Sequence, residues 1–258
     1  MKPKERRAYI LETIREKGYV SVEKLSKQFC VSMQIVRKDI NKLAQEGLVK
    51  RVYGGAQMPV SRENISYDSR KVIHYEEKKE IAKLVAKQIP DNSSLFFSIG
   101  TTPEIVATEL RDHKNLKIFT NNLHVALSCC QNETFEITIL GGKIRNKHKD
   151  IFNRDVESFF SSFRVDFGIF GVGAIQKDGT LLDFSEDELL VRETIKKSSR
   201  KTILVADNSK FSRKAFVKGG NITEVDYFVT DKIPPKEIVE LFRDSLVSVV
   251  YPKRNSYE

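Results

Sequence analysis

The sequence predicts an α/β protein in two parts: an N-terminal winged helix-turn-helix domain and a C-terminal α/β domain built on a mostly parallel sheet. Three observations predict it. Charge is unevenly shared: residues 1–62 carry 14 Lys and Arg against 6 Asp and Glu, while the rest of the chain carries 30 against 29. The same N-terminal stretch shows three successive amphipathic patterns. From Leu95 onward, continuous apolar runs alternate with helical stretches, as in parallel strands covered by helices on both faces. Cationic excess confined to a stretch with apolar periodicity is the footprint of a domain that binds a polyanion.

The first pattern runs from Arg6 to Lys17, with Ile10 and Ile14 four apart, and Gly18 stops it. Ser21 is placed to N-cap a second helix from Val22 to Phe29, whose Val22, Leu25 and Phe29 share a face. Cys30-Val31-Ser32 makes the turn, and Ser32 is the next N-cap. The third helix turns Val36, Ile40 and Leu43 inward and ends at Gly47. Its other face carries Gln34, Arg37, Lys38 and Asn41, side chains that reach base edges and phosphates in a major groove. Leu48 to Tyr53 is strand-like and Gly54-Gly55 breaks it. A two-stranded wing carrying Lys50, Arg51 and Tyr53 would follow the backbone beside that groove. The DNA-binding candidates are therefore Ser32, Gln34, Arg37, Lys38, Asn41, Lys50, Arg51 and Tyr53.

Domain boundaries are expected at 1–57 for the winged helix-turn-helix and 76–258 for the α/β part. Residues 58–75, with Pro59, Ser61, Asn64, Ser66 and Ser69 and little periodicity, read as a linker. Glu76 to Ile89 is helical, with Ile81, Leu84, Val85 and Ile89 inward. Strands are expected at Leu95–Ile99, Leu116–Thr120, Phe135–Leu140, Val165–Val172, Thr202–Ala206, Val225–Thr230 and Leu246–Tyr251. Helices fall between them.

Ligands of such sheets bind beyond the carboxyl ends of the strands. Four of those ends are polar turns. Gly100-Thr101-Thr102 opens a helix with Pro103 at its first position, which suits a phosphate. Thr120-Asn121-Asn122 leads into another helix. Gly141-Gly142 precedes Lys143 and Arg145, and Asp207 stands three before Lys210. Together they predict a site for a phosphorylated small molecule formed by Gly100, Thr101, Thr102, Asn121, Asn122, Gly141, Gly142, Arg145, Asp207 and Lys210.

Other classes find little support. No run of eighteen apolar residues offers a membrane span, and the basic N-terminus has no uninterrupted apolar core of a signal peptide. Cys30, Cys129 and Cys130 provide no disulfide framework and no zinc spacing, and read as buried thiols in a reducing cytosol. Neither metal nor cofactor is expected.

The stretch Val31 to Ala56 carries Val31, Ser32, Val36, Arg37, Lys38, Asp39, Ile40, Leu43, Gly47, Leu48, Arg51, Gly54, Gly55 and Ala56 in an order that resembles the DeoR family of bacterial transcriptional regulators. The family's later patterns are met by Glu77, Lys78, Ile81 and Ala82, by Gly100-Thr101-Thr102, Thr120-Asn121-Asn122 and Gly141-Gly142, and by Asp207, Ser209, Lys210 and Phe211. The resemblance covers nearly the whole chain. It implies a sensor fold similar to ribose-5-phosphate isomerase and a cytoplasmic homo-oligomer that represses by binding operator DNA. The stretches IGTTPEIVATEL, TNNLHVA and ADNSKFSRKA further imply an effector of the glycerol 3-phosphate type that releases the DNA.

Some positions depart from the pattern. Ile35 stands where the family has Thr and Lys38 where it has Arg, and Lys lacks the bidentate fork of Arg. Ser98 replaces an acid, Asn153 replaces a glycine, and Lys147-His148-Lys149 makes a loop more basic. The competing reading is a sugar-phosphate isomerase with an accessory basic domain, using Asp183, Glu186, Asp187 or Asp207. No His clearly joins them; His124 reads as a structural or ligand contact. A redox sensor through Cys129 and Cys130 is a third reading.

Overall fold

The computed structural model describes residues 2–17, 19–57 and 67–252. The expected helix stop at Gly18 and the linker residues Pro59, Ser61, Asn64 and Ser66 lie outside the described residues. The chain forms two compact units, Met1–Ser69 and Arg70–Glu258.

The first unit contains α1 (Pro3–Lys17), β1 (Tyr19–Ser21), α2 (Val22–Phe29), α3 (Met33–Gln45), β2 (Lys50–Val52) and β3 (Gly55–Gln57). Its core is the apolar set expected from periodicity: Ile10, Ile14, Val22, Leu25, Phe29, Val36, Ile40 and Leu43 are all buried. Ser21 and Ser32 cap α2 and α3, accepting from the amides of Lys24 and Ile35. Helix α3 ends at Gln45, and Gly47 (φ +71°) turns the chain after it.

The wing has three strands, where two were expected, in the order β1-β3-β2. Three residues between a helix end and a cap leave no room for a period-two signal, so β1 is silent in the sequence. Its presence explains Gly55: a Cβ there would meet the Val20 carbonyl oxygen at 1.9 Å, so only glycine lets β1 approach β3. The stretch read as irregular linker contains a helix, α4 (Tyr67–Val72), with Tyr67 and Ser69 buried. A helix this short spans too few residues to show a 3.6-residue period.

The second unit continues with α5 (Tyr75–Ala86), β4 (Ser94–Phe97), α6 (Thr101–Glu109), β5 (Lys117–Thr120), α7 (Leu123–Cys129), β6 (Glu136–Ile139), β7 (Ile144–Arg145), β8 (Asp150–Ile151) and α8 (Val156–Ser161). There follow β9 (Val165–Phe170), β10 (Ala174–Ile175), β11 (Thr180–Asp183), α9 (Glu186–Lys197), β12 (Ser199–Val205), β13 (Val217–Asn221), β14 (Tyr227–Val229), α10 (Lys236–Phe242) and β15 (Ser248–Val250). Seven strands form one parallel sheet in the order β15-β14-β12-β9-β4-β5-β6.

Two apolar layers cover it, as period-two alternation requires. Leu95, Phe97, Ile169, Ile203 and Val205 pack with Ile81, Val106 and Val125 on one face. Phe96, Phe170, Leu204 and Phe228 pack with Phe160, Val191 and Ile238 on the other. The antiparallel elements were not anticipated: a β7–β8 hairpin and a small β10-β11-β13 sheet.

The chain leaves β4 toward β5 and β6, then returns to β9 on the other side of β4 and proceeds outward to β12, β14 and β15. The switch point of the sheet is therefore the pair β4–β9, and a crevice beyond its carboxyl ends is where such folds bind ligands. Pro103 is the third residue of α6 rather than the first, because the helix already begins at Thr101. It still falls in the first turn, whose amides have no helical acceptor. Two of the three thiols are not buried as expected. Cys30 and Cys130 are exposed, the former because it closes α2 in a left-handed conformation, and only Cys129 faces the core.

Candidate functional site

In the first unit, the capped N-terminus of α3 holds an open face. Ser32, Met33, Gln34, Ile35, Arg37 and Lys38 are all exposed. Lys50 and Arg51 are exposed on the edge strand β2, and Tyr53 projects fully into solvent in the turn before Gly54. Asn41 sits deeper than expected for a base-reading residue. It is half-buried, and its Oδ1 is buried without a hydrogen-bond partner among the described residues.

Asp39, known from the sequence only as a motif position, anchors the inner side of α3. It is buried, accepts from Arg6 Nε at 2.7 Å, and lies 3.5 Å from Arg7 Nη1. The pair ties α3 to α1, so the motif's Arg37-Lys38-Asp39 run alternates two outward cations with one inward clamp. Periodicity cannot reveal this pairing, because the partner lies 33 residues away.

In the second unit, several side chains of the strand-end turns are spent on the turns themselves. Asn122 caps α7 through the amides of His124 (3.0 Å) and Val125 (3.4 Å) and donates to the Gly100 carbonyl at 3.2 Å. Thr120 donates to the Phe97 carbonyl and accepts from the Asn122 amide. Gly100 adopts φ +125° before α6, and Thr101 and Thr102 are buried at its start. A Cβ built on Gly171 would lie 3.8 Å from Pro103 Cδ and 3.6 Å from the Val205 carbonyl, so the start of α6 meets the ends of β9 and β12. Asn121 is fully buried and donates to the Ile151 carbonyl, but its Oδ1 has no hydrogen-bond partner among the described residues.

Arg145 differs from the free anion binder expected. It forks onto Asp150 at 3.0 and 2.5 Å, reaches Asp187 at 3.0 Å, and stacks 5.3 Å from the Phe152 ring centre. Burial opposes its charge, but these carboxylates prevail and hold its pKa above the ordinary arginine value. Gly141 and Gly142 are exposed, and their loop is pinned by Asn153, whose Nδ2 donates to the Gly141 carbonyl at 2.8 Å. The residue replacing the family's glycine is thus a clasp.

Asp207 and Lys210 lie in a cluster larger than the sequence suggested. Asp207 is buried and accepts from the Ser209 amide at 3.0 Å, capping a turn of 3-10 helix over Asn208–Phe211. Burial pushes its pKa up, but the charges of Lys210, His74 and Lys78 hold it below the ordinary range. Lys210 is pushed well below the ordinary lysine value by burial and then by the Arg213 charge, with Lys78 and Arg70 adding to the effect. Burial likewise lowers Lys78 to about 8 and also lowers Arg213. Arg70, Lys78 and Arg213 escaped the sequence reading because they are scattered in the chain and meet only in the fold. The one available signal was Lys78 in the Glu77-Lys78-x-x-Ile81-Ala82 pattern. His148 borders the same group: its pKa is lowered by burial and then by Arg70 and Arg145, and its Nδ1 is buried without a hydrogen-bond partner among the described residues.

The carboxylates considered for catalysis have structural employment. Asp183 is buried against Arg192 at 2.9 Å, Asp187 binds Arg145, and Asp207 caps a turn. Glu186 is exposed at the start of α9. Burial pushes the Cys129 thiol up to about 12, with the Cys130 charge adding to it, so it stays protonated and unreactive.

Comparisons with known proteins match both parts of the chain. A DeoR-like helix-turn-helix domain matches residues 6–62, and a DeoR C-terminal sensor domain matches residues 73–232. A glycerol-3-phosphate regulon repressor of Escherichia coli is 43% identical over 95% of this chain and 97% of its own. A repressor of the same name from Haemophilus influenzae is 43% identical over 97% of both chains. An E. coli HTH-type transcriptional repressor, CsqR, is 38% identical over 96% of this chain and 95% of its own. Among solved structures, a D-ribose-5-phosphate isomerase in complex with phospho-erythronic acid overlaps 53% of this chain and 54% of that one, with 15% identity and a TM-score of 0.40.

Proposed function

The chain belongs to the DeoR family of transcriptional regulators, and from that premise we propose that it represses a carbon-catabolic regulon of the glycerol 3-phosphate type and leaves its operator when a phosphorylated metabolite binds. Residues 1–57 read DNA, residues 76–258 sense the metabolite, and 58–75 join them. The protein works in the cytoplasm as a homo-oligomer, so that two or more α3 helices meet successive half-sites. Gln34, Arg37 and Lys38 face the bases and phosphates, Asn41 lines the inner edge of that face, and Lys50, Arg51 and Tyr53 hold the backbone. The effector lies beyond β4 and β9. The helix start at Gly100–Thr102 and the Asp207–Lys210 turn meet its phosphate, and Asn121 meets its hydroxyls. Arg145 and the loop at Gly141 and Gly142 wall the site.

The observation that carries the reading is the pairing, in one chain, of exposed cations on a capped α3 with a buried excess of cations around a single capping carboxylate. The first arrangement suits a long polyanion and the second a compact one. Fluorescence anisotropy on DNA from upstream of a glycerol-catabolic operon tests it. Tight binding reversed by glycerol 3-phosphate is expected, and binding indifferent to every phosphorylated metabolite would remove the sensing role. Ser98, buried where the family carries an acid, supports a second reading in which a different sugar phosphate is the effector. The same titration with a panel of sugar phosphates separates the two.

A further inference from the structure

Among the described residues of the first unit, only two large aliphatic side chains stand exposed, Met33 at 47% and Ile35 at 40%. Both lie in the first turn of α3, the end of such a helix that meets base edges. Single exposed apolar residues scattered over a surface are ordinary. These two are not scattered: the unit withdraws its other aliphatic side chains and places this pair at the tip of one helix.

Their setting says what the partner is. Successive residues of an α-helix lie about 100° apart, so Met33 and Ile35 flank Gln34 on opposite sides. Arg37 stands one turn behind Met33 and Lys38 one turn behind Ile35, and both cations are exposed. The first turn of α3 carries no acid, and the one acid of the helix, Asp39, is buried against Arg6. The surface is thus apolar at its tip and cationic behind it. A protein partner would have to set acids against those cations at the cost of desolvating both. The major groove of duplex DNA matches the two parts as they stand. Phosphates line its walls, and the one apolar group that the base edges present on its floor is the C5-methyl of thymine.

Ile35 is the better placed of the two to discriminate. Its amide donates to the Ser32 hydroxyl at 3.4 Å and to the Ser32 carbonyl at 3.0 Å, so the helix cap fixes its backbone. Its branched Cβ leaves few rotamers, whereas Met33 is unbranched with three rotatable bonds. A stiff methyl group loses little freedom on contact, so more of the burial remains as affinity.

We propose that Ile35 reads the methyl group of a thymine in each operator half-site. The inference rests on the reading of α3 as the DNA-facing helix and adds to it a base that this helix selects. A side chain with no donor or acceptor gains from the thymine methyl and gains nothing from cytosine, which offers an amino donor at the same edge.

Fluorescence anisotropy with the full-length protein tests the proposal. The probe is the duplex from upstream of a glycerol-catabolic operon, remade with deoxyuridine at one thymine at a time. The replacement keeps base pairing and deletes only the methyl. With the wild type, replacing one particular thymine of a half-site should weaken binding about fourfold, the worth of one buried methyl. Ile35→Ser should bind the unmodified duplex more weakly and lose nothing further from deoxyuridine at that thymine, while Ile35→Val should keep the preference. Comparing two proteins on two duplexes cancels any effect of deoxyuridine on DNA shape. The wild-type scan stands by itself if Ile35→Ser does not fold. Tight binding indifferent to every replacement would overturn the proposal and leave the DNA reading standing. A penalty that survives in Ile35→Ser would overturn it as well, and its loss in Met33→Ser instead would move the contact to that residue. Failure of the wild type to bind any duplex would overturn both readings.

Discussion

The two units use the same kinds of side chain in opposite ways. On α3 and β2, Arg37, Lys38, Lys50 and Arg51 stand exposed in water. Around Asp207, cations of the same types are withdrawn from water until burial and mutual repulsion lower their pKa values. An exposed cation costs little to keep and gains little from one phosphate, so it acts in number along a polyanion and is weakened by salt. A buried cation is costly until it is matched, so a few of them discriminate strongly for one compact ligand. The first unit buries cations as well, but it matches them: Arg6 and Arg7 converge on Asp39. Matching marks a frame, and mismatch marks a seat.

The largest effect should come from breaking the matched set. Asp39→Ala leaves Arg6 buried without its carboxylate, and loss of one partner of a buried pair costs about 3–5 kcal/mol. A thermal melt of the isolated transition of residues 1–69 against the full chain would show it. A variant as stable as wild type would mean that Arg6 reaches water and that the pair is ornamental.

Next come the exposed cations. Arg37→Ala should cost about 1–3 kcal/mol of operator binding if the guanidinium reads a base, and Lys50→Ala should lower the slope of affinity against salt by roughly one. Anisotropy titrations at several salt concentrations distinguish them. An unchanged affinity for Arg37→Ala would take it out of the reading face.

The mismatch predicts a pH dependence of effector binding. Burial lowers the Lys78 pKa to about 8, with the Arg70 and Arg213 charges adding to the effect and Asp207 and Glu77 opposing it. Below that pH it is charged and attracts the phosphate of the proposed effector. Above it the ammonium loses its proton, and rebinding that proton becomes part of the binding reaction. Affinity should therefore fall as pH rises through 8, by up to about tenfold per unit, or about 1.4 kcal/mol. Calorimetry at pH 7 and pH 9 reads the change, and a profile as steep in Lys78→Met would transfer the proton to another group. The smallest effect belongs to the cap of the reading helix: Ser32→Ala should cost about 1 kcal/mol of stability by melting, as for other N-caps.

These predictions follow the line between what was legible in the sequence and what was not. The helices of the first unit were legible because each puts its apolar residues at helical spacing behind a serine cap, at Ser21 and Ser32. The seven strands were legible because a parallel sheet buried on both faces leaves continuous apolar runs such as Leu95-Phe96-Phe97. Strand β1 was not, being three residues long, and α4 was not, being six. The turns proposed for the effector were visible as Gly, Thr and Asn at strand ends, but their division of labour was not. Nothing local says that Asn122 is spent on a cap while the neighbouring Asn121 keeps a buried Oδ1 without a partner. Arg70, Lys78, Lys210 and Arg213 stand up to 143 positions apart in the chain and act on one another, so no window of sequence contains them all.

Asp39 is the only acid on α3, and it is buried against Arg6, away from the exposed face proposed to read DNA. This bears on how such regulators diversify and how they can be redesigned. Positions 34, 35, 37 and 38 are free to be rewritten for a new operator, since none of them holds the helix in place. Position 39 is inherited with the scaffold, and a selection for altered operator preference should return changes on either side of it while leaving it untouched.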